Sequence, residues 1–528
     1  DYGTLRLYSG NDDGSEGAWE RIGLYAQDFI VASGNNLFVP VFSVVGMGVM
    51  LITAVRRPAR SSLASGSTAL SGVGGVLVVS HVCYLVVFHS LANLPLSNPL
   101  LFGIHKRFWL HPHILSFLFT GVGINYTLHS VTDLLFKHTP TIISNRVKTG
   151  LVVTFALISL ANSYWRHFRV SDQSDNNYFH NYAKGILEAL PTGALFFINY
   201  DQQWTSVRYF QQCEDVRTDI TSINLSMMSY PWWKTKKVLY PHITFPGTHY
   251  TNSNRDDNTG FTFYQLLESN YHSHPEGIFV GGRLNYPDAE YNANYIEIPH
   301  GMTRRIVKRN QYDSSNHPLS KHDSFRRESL RPWRVISRYH QRPSEQRSNG
   351  LPPLDMYPPE TWEWTITREF FDHLIARASH LLDLTTRQQQ NTKHAVTSLV
   401  EAAAWMEYAL DNDAEKSATP ALMKNLGIAY MNLVRQPHVT RRLPAIDNVF
   451  DIDLDSADFR SSSNSVILFR GGERADWKAW ASQRWSECWK EFLEMDGARK
   501  DESYRQVKKI YNQVMKSARS SGPAVGRG

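Results

Sequence analysis

The stretch 37-LFVPVFSVVGMGVMLITAV-55 decides the class of fold, because it has no charged residue and is long enough to cross a bilayer as a helix. Further apolar stretches of similar length follow within the first third of the chain; they are Ala69–Leu91, His113–Phe136 and Thr149–Trp165. The sequence therefore predicts a polytopic α-helical membrane domain at 37–165 with four spans, at 37–55, 69–91, 113–136 and 149–165. Residues 1–36 are expected to lie outside the bilayer.

The remaining two thirds of the chain are polar and rich in Trp, Tyr, Arg and His. With 528 residues we expect two or three domains. The composition predicts a water-exposed α/β domain at 166–301, an Arg-, Ser- and Pro-rich linker at 302–359, and a helical domain at 360–528. The net charge is +6, but the Arg-rich stretch is interrupted by Ser, Asn and Pro, so it does not predict an ordered basic face for nucleic acid.

Basic residues in the connections between spans indicate the orientation of the chain. They lie in the first and third connections and are Arg56, Arg57, Arg60, Lys137, Arg146 and Lys148. The positive-inside rule places these connections in the cytoplasm. The N-terminal segment and the large C-terminal region then face the lumen of the endoplasmic reticulum. The acceptor tripeptide Asn224-Leu225-Ser226 lies on that luminal side, which predicts glycosylation of Asn224.

A compact β-α-β unit is predicted at the start of the luminal region. Gly193–Asn199 and Asp219–Asn224 have the pattern of strands, and Trp204–Glu214 between them has that of a helix. A further strand is expected at Gly277–Val280. Asp201 would lie at the carboxyl end of the first strand, where open α/β sheets bind ligands. Alternatively, Asp201 caps the helix that follows it.

Helical periodicity dominates the C-terminal region. Apolar residues recur at three- and four-residue spacing in Glu369–Leu384, Thr392–Asn412, Pro420–Arg435, Trp477–Glu494 and Ser503–Ser517. The sequence 421-ALMKNLGIAYMNLV-434 is typical of one unit of a tetratricopeptide repeat. Such a domain either holds another protein near the membrane or is a structural cap on the α/β unit.

Cysteine and acidic residues give little sign of bridges or metals. Cys213 and Cys488 lie outside the predicted spans, and they are either a long-range disulfide or two free thiols. The acidic run Asp451–Asp455 lacks the Gly and Glu that a calcium loop needs at its sixth and twelfth positions. No metal site is predicted.

The loop 98-NPLLFGIHKRFW-109 places cations next to aromatic residues at a membrane entry. His105, Lys106 and Arg107 precede Phe108 and Trp109. Cations in this setting can hold a lipid phosphate. The alternative is ordinary anchoring of the chain at the membrane interface.

Several segments together resemble one family, the transmembrane-protein-260-like O-mannosyltransferases. They are DYGT at 1–4, the loop at 98–109, LPTGALFFINYDQQWTSVRYFQQCEDVRTDITSINLSMMSYPWW at 190–233, YPHITFPG at 240–247 and YIEIPHG at 295–301. The resemblance implies a membrane glycosyltransferase of the C-type fold in the endoplasmic reticulum. Such enzymes transfer mannose from dolichyl-phosphate-mannose to Ser or Thr of secretory-pathway proteins, including TIG domains of plexin-type receptors. No cofactor is implied besides this lipid-linked donor.

The resemblance also assigns site residues. Asp1 and Tyr2 match an active-site loop, and His105, Lys106 and Arg107 are the expected contacts of the donor phosphate. The family's main catalytic acid lies in an earlier luminal loop, so we expect an N-terminally truncated fragment that is inactive alone. A different class of function stays open: a membrane-anchored luminal scaffold that binds client proteins through its helical repeats, without catalysis.

Overall fold

A computed structural model describes most of the chain in two compact units. The described residues are 17–34, 37–56, 66–91, 95–135, 141–251, 259–282, 288–314, 317–340, 356–359, 361–388, 393–413, 418–436, 450 and 477–520. Unit 1 contains those up to Asn176 together with Tyr357–Trp364. Unit 2 contains the rest, from Asn177 onward.

The described part of unit 1 consists of helices and short connections between them. Its helices are α1 (Ala18–Ala32), α2 (Phe38–Arg56), α3 (Gly66–Leu91), α4 (Pro99–Arg107), α5 (Leu110–Leu135) and α6 (Thr141–Ser171). Helices α2 and α5 cross at two glycines. A Cβ atom on Gly46 would collide with the backbone carbonyl of Phe119, and one on Gly123 with that of Phe42. The missing side chains therefore let the two backbones touch.

Two described helices are long and apolar enough to cross a membrane, Phe38–Val55 and Leu110–Leu135. The structure also forms helices at the other two predicted spans, but their apolar stretches, Val73–Phe88 and Thr149–Asn162, are shorter. Only 11% of Phe38–Val55 is buried within the protein. A helix that is apolar all round and unburied matches a lipid environment, so the chain has the character of a membrane protein.

Unit 2 is built on a mixed sheet of five strands, in the order β2-β1-β3-β5-β4. The strands are β1 (Leu195–Ile198), β2 (Thr221–Asn224), β3 (Ile278–Gly281), β4 (Tyr295–His300) and β5 (Thr303–Lys308). Strand β1 pairs in parallel with β2 and β3, whereas β5 is antiparallel to β3 and β4. The predicted strands at 193–199, 219–224 and 277–280 are confirmed.

Helices cover both faces of this sheet. They are α7 (Tyr178–Ala189), α8 (Asp201–Cys213), α9 (Leu225–Met228), α10 (Phe263–Asn270), α11 (Ala289–Asn294), α12 (Arg309–Asp313) and α13 (His322–Ile336). Phe196 and Ile198 of β1 share a core with Phe210 of α8, while Phe197 shares the opposite core with Leu266 of α10. The chain therefore changes faces after β2, and the carboxyl ends of β1 and β3 form a topological switch point.

The prediction of a linker at 302–359 is wrong for its first part. Strand β5 and helices α12 and α13 occupy Thr303–Ile336. Ile306 and Val307 are buried, and Arg304 pairs with Glu297 of the neighbouring strand at 2.9 Å. The Arg-rich composition of β5 did not predict a strand. In the structure Arg304 pairs with an acidic residue, whereas the apolar residues of the strand enter the cores.

The C-terminal helices belong to the same unit, except for the first turn of the first helix, Trp362–Trp364, which belongs to unit 1. They are α14 (Trp362–Arg387), α15 (Lys393–Asn412), α16 (Pro420–Val434), α17 (Trp477–Glu494) and α18 (Tyr504–Ser520), close to the predicted bounds. One core runs from Phe196 of the sheet through Trp333 of α13 to Trp405 of α15. Residues 166–301 and 360–528 are therefore not separate domains, contrary to the prediction. The tetratricopeptide assignment stays a prediction.

Buried ion pairs tie these helices together. Arg377 and Glu401 are completely buried and hydrogen-bonded to each other, and Arg326 lies 3.4 Å from the other Glu401 oxygen. The Arg377 guanidinium also lies 3.9 Å from the centre of the Trp405 ring. Each charge in this network has a partner, which is the condition for tolerating charges in a protein interior.

The cysteines do not form a bridge. Cys213 is exposed at the end of α8, whereas Cys488 is buried in α17. Burial raises the pKa of the Cys488 thiol to about 12. Of the two possibilities that the sequence left open, the structure has the two free thiols.

Candidate functional site

Three helices of unit 1 bring charged residues together. Asp28 comes from α1, Lys106 from the last turn of α4 and His113 from the first turns of α5. One Asp28 oxygen lies 3.8 Å from Lys106 Nζ, and the other lies 3.7 Å from His113 Nε2. We call these three residues the Asp28 cluster. Sequence reasoning missed Asp28, because it lies far along the chain from the residues that it contacts.

Aromatic side chains surround the Asp28 cluster. The Tyr25 ring lies 5.1 Å from that of His113, and its hydroxyl group is 2.9 Å from the Ser116 hydroxyl on α5. Lys106 also lies over the Phe102 ring, 4.7 Å from its centre. The Lys106 side chain keeps 35% of its surface exposed. The arrangement leaves a partly paired ammonium group available to an added anion.

Arg107 occupies a different setting from Lys106. Its guanidinium lies 5.0 Å from the centre of the Trp362 ring, which belongs to the short C-terminal segment of unit 1. A stacked guanidinium keeps its in-plane donors for a carboxylate or phosphate. Lys106 and Arg107 thus both retain the means to bind an anion.

The structure does not bring His105 to the surface of this site. Its ring is fully buried between Phe88, at 5.3 Å, and Trp109, at 5.4 Å. Successive residues of a helix point about 100° apart, so Lys106 can reach the surface while His105 enters the core. The predicted phosphate contact of His105 is therefore wrong for this fold. Asp1 and Tyr2, the other predicted site residues near the membrane, lie outside the described residues.

In unit 2, Asp201 lies where the sequence placed it, just beyond the carboxyl end of β1. Its side chain is exposed in the first turn of α8. The N-cap of that helix is Tyr200, and no side chain makes a capping bond there, so the capping interpretation is wrong. A carboxylate in the first turn still interacts favourably with the helix dipole.

Behind this edge lies a polar group that the sequence did not predict. Glu369 of α14 accepts a hydrogen bond of 2.6 Å from the Tyr182 hydroxyl of α7, and His373 lies 3.9 Å away. Burial raises the pKa of Glu369 to about 7 and lowers that of His373 to about 3. Tyr182 also lines an adjoining cavity with Ile336 and Phe370. A carboxyl group that exchanges its proton near neutral pH is a frequent property of functional sites.

Asn224 is not available for glycosylation in the folded protein. It is the last residue of β2, only 2% exposed, and its side-chain oxygen accepts a hydrogen bond of 2.9 Å from the Met227 amide. The amide thereby caps the short helix α9. Glycosylation of Asn224 stays a prediction, and it would have to precede the formation of this cap.

Within the described part of the chain, no group of three or more His, Cys, Asp or Glu side chains has the geometry to hold a metal ion. The predicted acidic run 451–455 lies outside the described residues.

Fold and site define a membrane protein with a charged cluster on its helical unit and a large unit of α/β and helical structure. Over 439 residues, 82% of the chain, it is 25% identical to protein O-mannosyl-transferase tmem260 of Dictyostelium discoideum. Over 228 residues, 42% of the chain, it is 26% identical to protein O-mannosyl-transferase TMEM260 of Mus musculus. The resemblance predicted from the sequence is confirmed.

The chain spans about half the length of the first of these relatives and about a third of the second, at 49% and 31%. No protein-family model and no solved structure matches the chain.

Proposed function

We propose that this chain takes part in protein O-mannosylation in the endoplasmic reticulum membrane. The donor is dolichyl-phosphate-mannose, and the acceptors are Ser or Thr residues of secretory-pathway proteins such as TIG domains, with unit 2 in the lumen. The observation that carries the proposal is the similarity to a protein O-mannosyl-transferase over 82% of the chain. The lipid-linked donor also fits a chain with helices of membrane-spanning length.

The Asp28 cluster and Arg107 are the part of the chain that we assign to the donor. When mannose leaves the lipid, negative charge grows on the departing phosphate, and nearby cations stabilise it. Lys106 and Arg107 are adjacent at the end of α4, and each keeps donors available. Asp28 has a positioning role, because its two oxygens face Lys106 and His113 separately.

Binding of the donor tests this assignment without requiring turnover. The chain in lipid nanodiscs is titrated with dolichyl-phosphate-mannose, and the Kd of Lys106→Ala and Arg107→Ala is compared with that of the unaltered chain. We expect each variant to bind about tenfold more weakly, the effect of one charge-assisted hydrogen bond. Arg146→Ala, which removes an exposed cation from α6, is the matched control.

Transfer itself is tested separately on a form of the protein that is active on a TIG-domain acceptor. There, Lys106→Ala and Arg107→Ala should lower the rate of mannose transfer from dolichyl-phosphate-mannose, while Arg146→Ala should not. If Lys106→Ala and Arg107→Ala have the same donor affinity and transfer rate as Arg146→Ala, then Lys106 and Arg107 do not bind the donor. Donor binding without transfer to any Ser or Thr acceptor would overturn the proposed activity instead.

A further inference from the structure

A surface of unit 2 has the composition of a membrane interface. The segment Tyr230–Leu239 follows α9 and forms two short 3-10 turns, Pro231–Thr235 and Lys237–Leu239. Three of its large apolar side chains face outward: Trp232 is 45% exposed, Leu239 59% and Val238 77%. We call this segment the Trp232 surface. It lies in the polar part of the chain, away from every predicted span.

The segment is firmly held from beneath. Trp233, next to the exposed Trp232, is 3% exposed and stacks on Tyr240 at 5.6 Å. The Phe245 ring lies 6.0 Å from Trp233 on another side. Trp232 itself stacks on Tyr230 at 5.7 Å. A rigid support keeps Trp232 and Leu239 exposed, and no side chain in the described part of unit 2 covers this apolar area. An exposed apolar area of this kind is typical of an interaction surface.

The charge of the segment indicates what covers it. Lys234 and Lys236 are exposed between the apolar side chains, and no acidic residue occurs between Asp219 and Asp256. Tryptophan and tyrosine favour the head-group level of a bilayer, and lysines next to them attract anionic lipids. A protein partner of comparable size would more often be met by aromatic and arginine residues with few lysines.

We propose that the Trp232 surface binds the surface of a lipid bilayer that contains anionic head groups. The surface reaches only the interface: Trp232, Val238 and Leu239 enter the head-group region while Lys234 and Lys236 face lipid phosphates. This contact goes beyond the proposed transfer reaction, since it concerns unit 2 and does not involve the Asp28 cluster.

Fluorescence quenching in membranes tests the contact on the whole chain. A single reactive cysteine is introduced as Leu239→Cys, with the exposed Cys83 and Cys213 replaced by Ala and Ser, and is labelled with a polarity-sensitive fluorophore. The chain is reconstituted in phosphatidylcholine vesicles with or without phosphatidylserine. Lys490→Cys, on the exposed side of α17, carries the label in the matched control.

We expect head-group nitroxide lipids to quench the label at position 239 several-fold more than the label at 490, and iodide in the water to quench it less. Lys234→Glu combined with Lys236→Glu should abolish the part of this difference that depends on phosphatidylserine. Because these lysines are exposed, the double variant should fold normally, which the slow reaction of the buried Cys488 thiol reports. Equal quenching of the two labels by lipid and by iodide would overturn the proposal. That result is also expected if the Trp232 surface binds a protein partner, because the vesicles contain none.

Discussion

Units 1 and 2 differ in how much of their apolar surface they bury. In unit 1, Val41 and Val44 of α2 are more than half exposed, and close contact is made by backbone at Gly46 and Gly123. In unit 2, the core is filled by large aromatic side chains such as Trp333 and Trp405, and even charged groups are buried. The comparison shows that unit 1 needs an apolar environment for its exposed side chains and small residues where its helices cross. Unit 2 is stabilised by a core made of its own side chains.

The largest effect is expected where unit 2 buries charge. Glu401→Ala leaves the fully buried Arg377, and its neighbour Arg326, without their shared carboxylate. Removing one partner of a buried pair costs roughly 3–5 kcal/mol. The free energy of unfolding can be followed in urea by the reactivity of the Cys488 thiol, which is buried in the same unit.

Glu487→Ala is the control for that experiment. Glu487 is half exposed and pairs with Arg484 at 3.7 Å, so its loss should change the free energy of unfolding by less than about 1 kcal/mol. An equal decrease in the free energy of unfolding in the two variants would mean that the stability of unit 2 does not depend on its buried charges. Buried charge would then not distinguish unit 2 from unit 1.

Glu369→Gln should change how the stability of unit 2 depends on pH. Burial raises the pKa of this carboxyl from 4.5 to about 7, so in the wild type the folded state loses stability as the pH rises from about 4.5 to about 7. Gln still accepts the bond from Tyr182 and has no charge to bury. Relative to the wild type, the variant should gain up to roughly 3 kcal/mol as the pH rises from about 4.5 to about 7.

The comparison between variant and wild type is needed here because His373 acts in the opposite direction. Burial lowers its pKa to about 3, so its contribution to stability grows as the pH rises from about 3 to 6.5. Urea unfolding of both proteins at each pH cancels this shared contribution. A difference between variant and wild type that stays constant from about pH 5 to pH 8 would show that Glu369 keeps an ordinary pKa.

The smallest of the three effects is expected in unit 1, at the crossing of α2 and α5. Gly46→Ala places a methyl group against the backbone of Phe119, so the helices must separate, at a cost of roughly 1–3 kcal/mol. Cross-linking between cysteines at Val39 and Thr120 measures the separation, because the Thr120 hydroxyl group donates a hydrogen bond of 3.2 Å to the Val39 carbonyl across the crossing.

Gly48→Ala is the matched control, because nothing lies within 4 Å of the added atom. It gives the same gain in helix propensity without the collision. The same cross-linking yield for Gly46→Ala and Gly48→Ala would show that the close approach of the backbones does not hold unit 1 together.

The sequence predicts those helices and strands whose apolar residues follow a regular pattern along the chain. Leu195–Ile198 is a continuous apolar run, and Trp477–Glu494 repeats Trp at helical spacing, so the strand and the helix were found. Strand β5 was missed because Arg304 and Arg305 dominate its composition, and their partners come from elsewhere in the fold. Asp28 and Glu369 were missed for the same reason: each acquires its role only when distant helices meet.

Because Asn224 caps α9, glycosylation of the tripeptide Asn224-Leu225-Ser226 depends on whether the sugar is added before this part of the chain folds. A molecule can have either a glycan on the Asn224 amide or the closed end of β2, because both require the same side chain. If unit 2 enters the lumen as proposed, oligosaccharide attachment and sheet closure compete for this residue while the chain is being made. The fraction of molecules glycosylated at Asn224 would then count those in which the sugar was added before the sheet had closed.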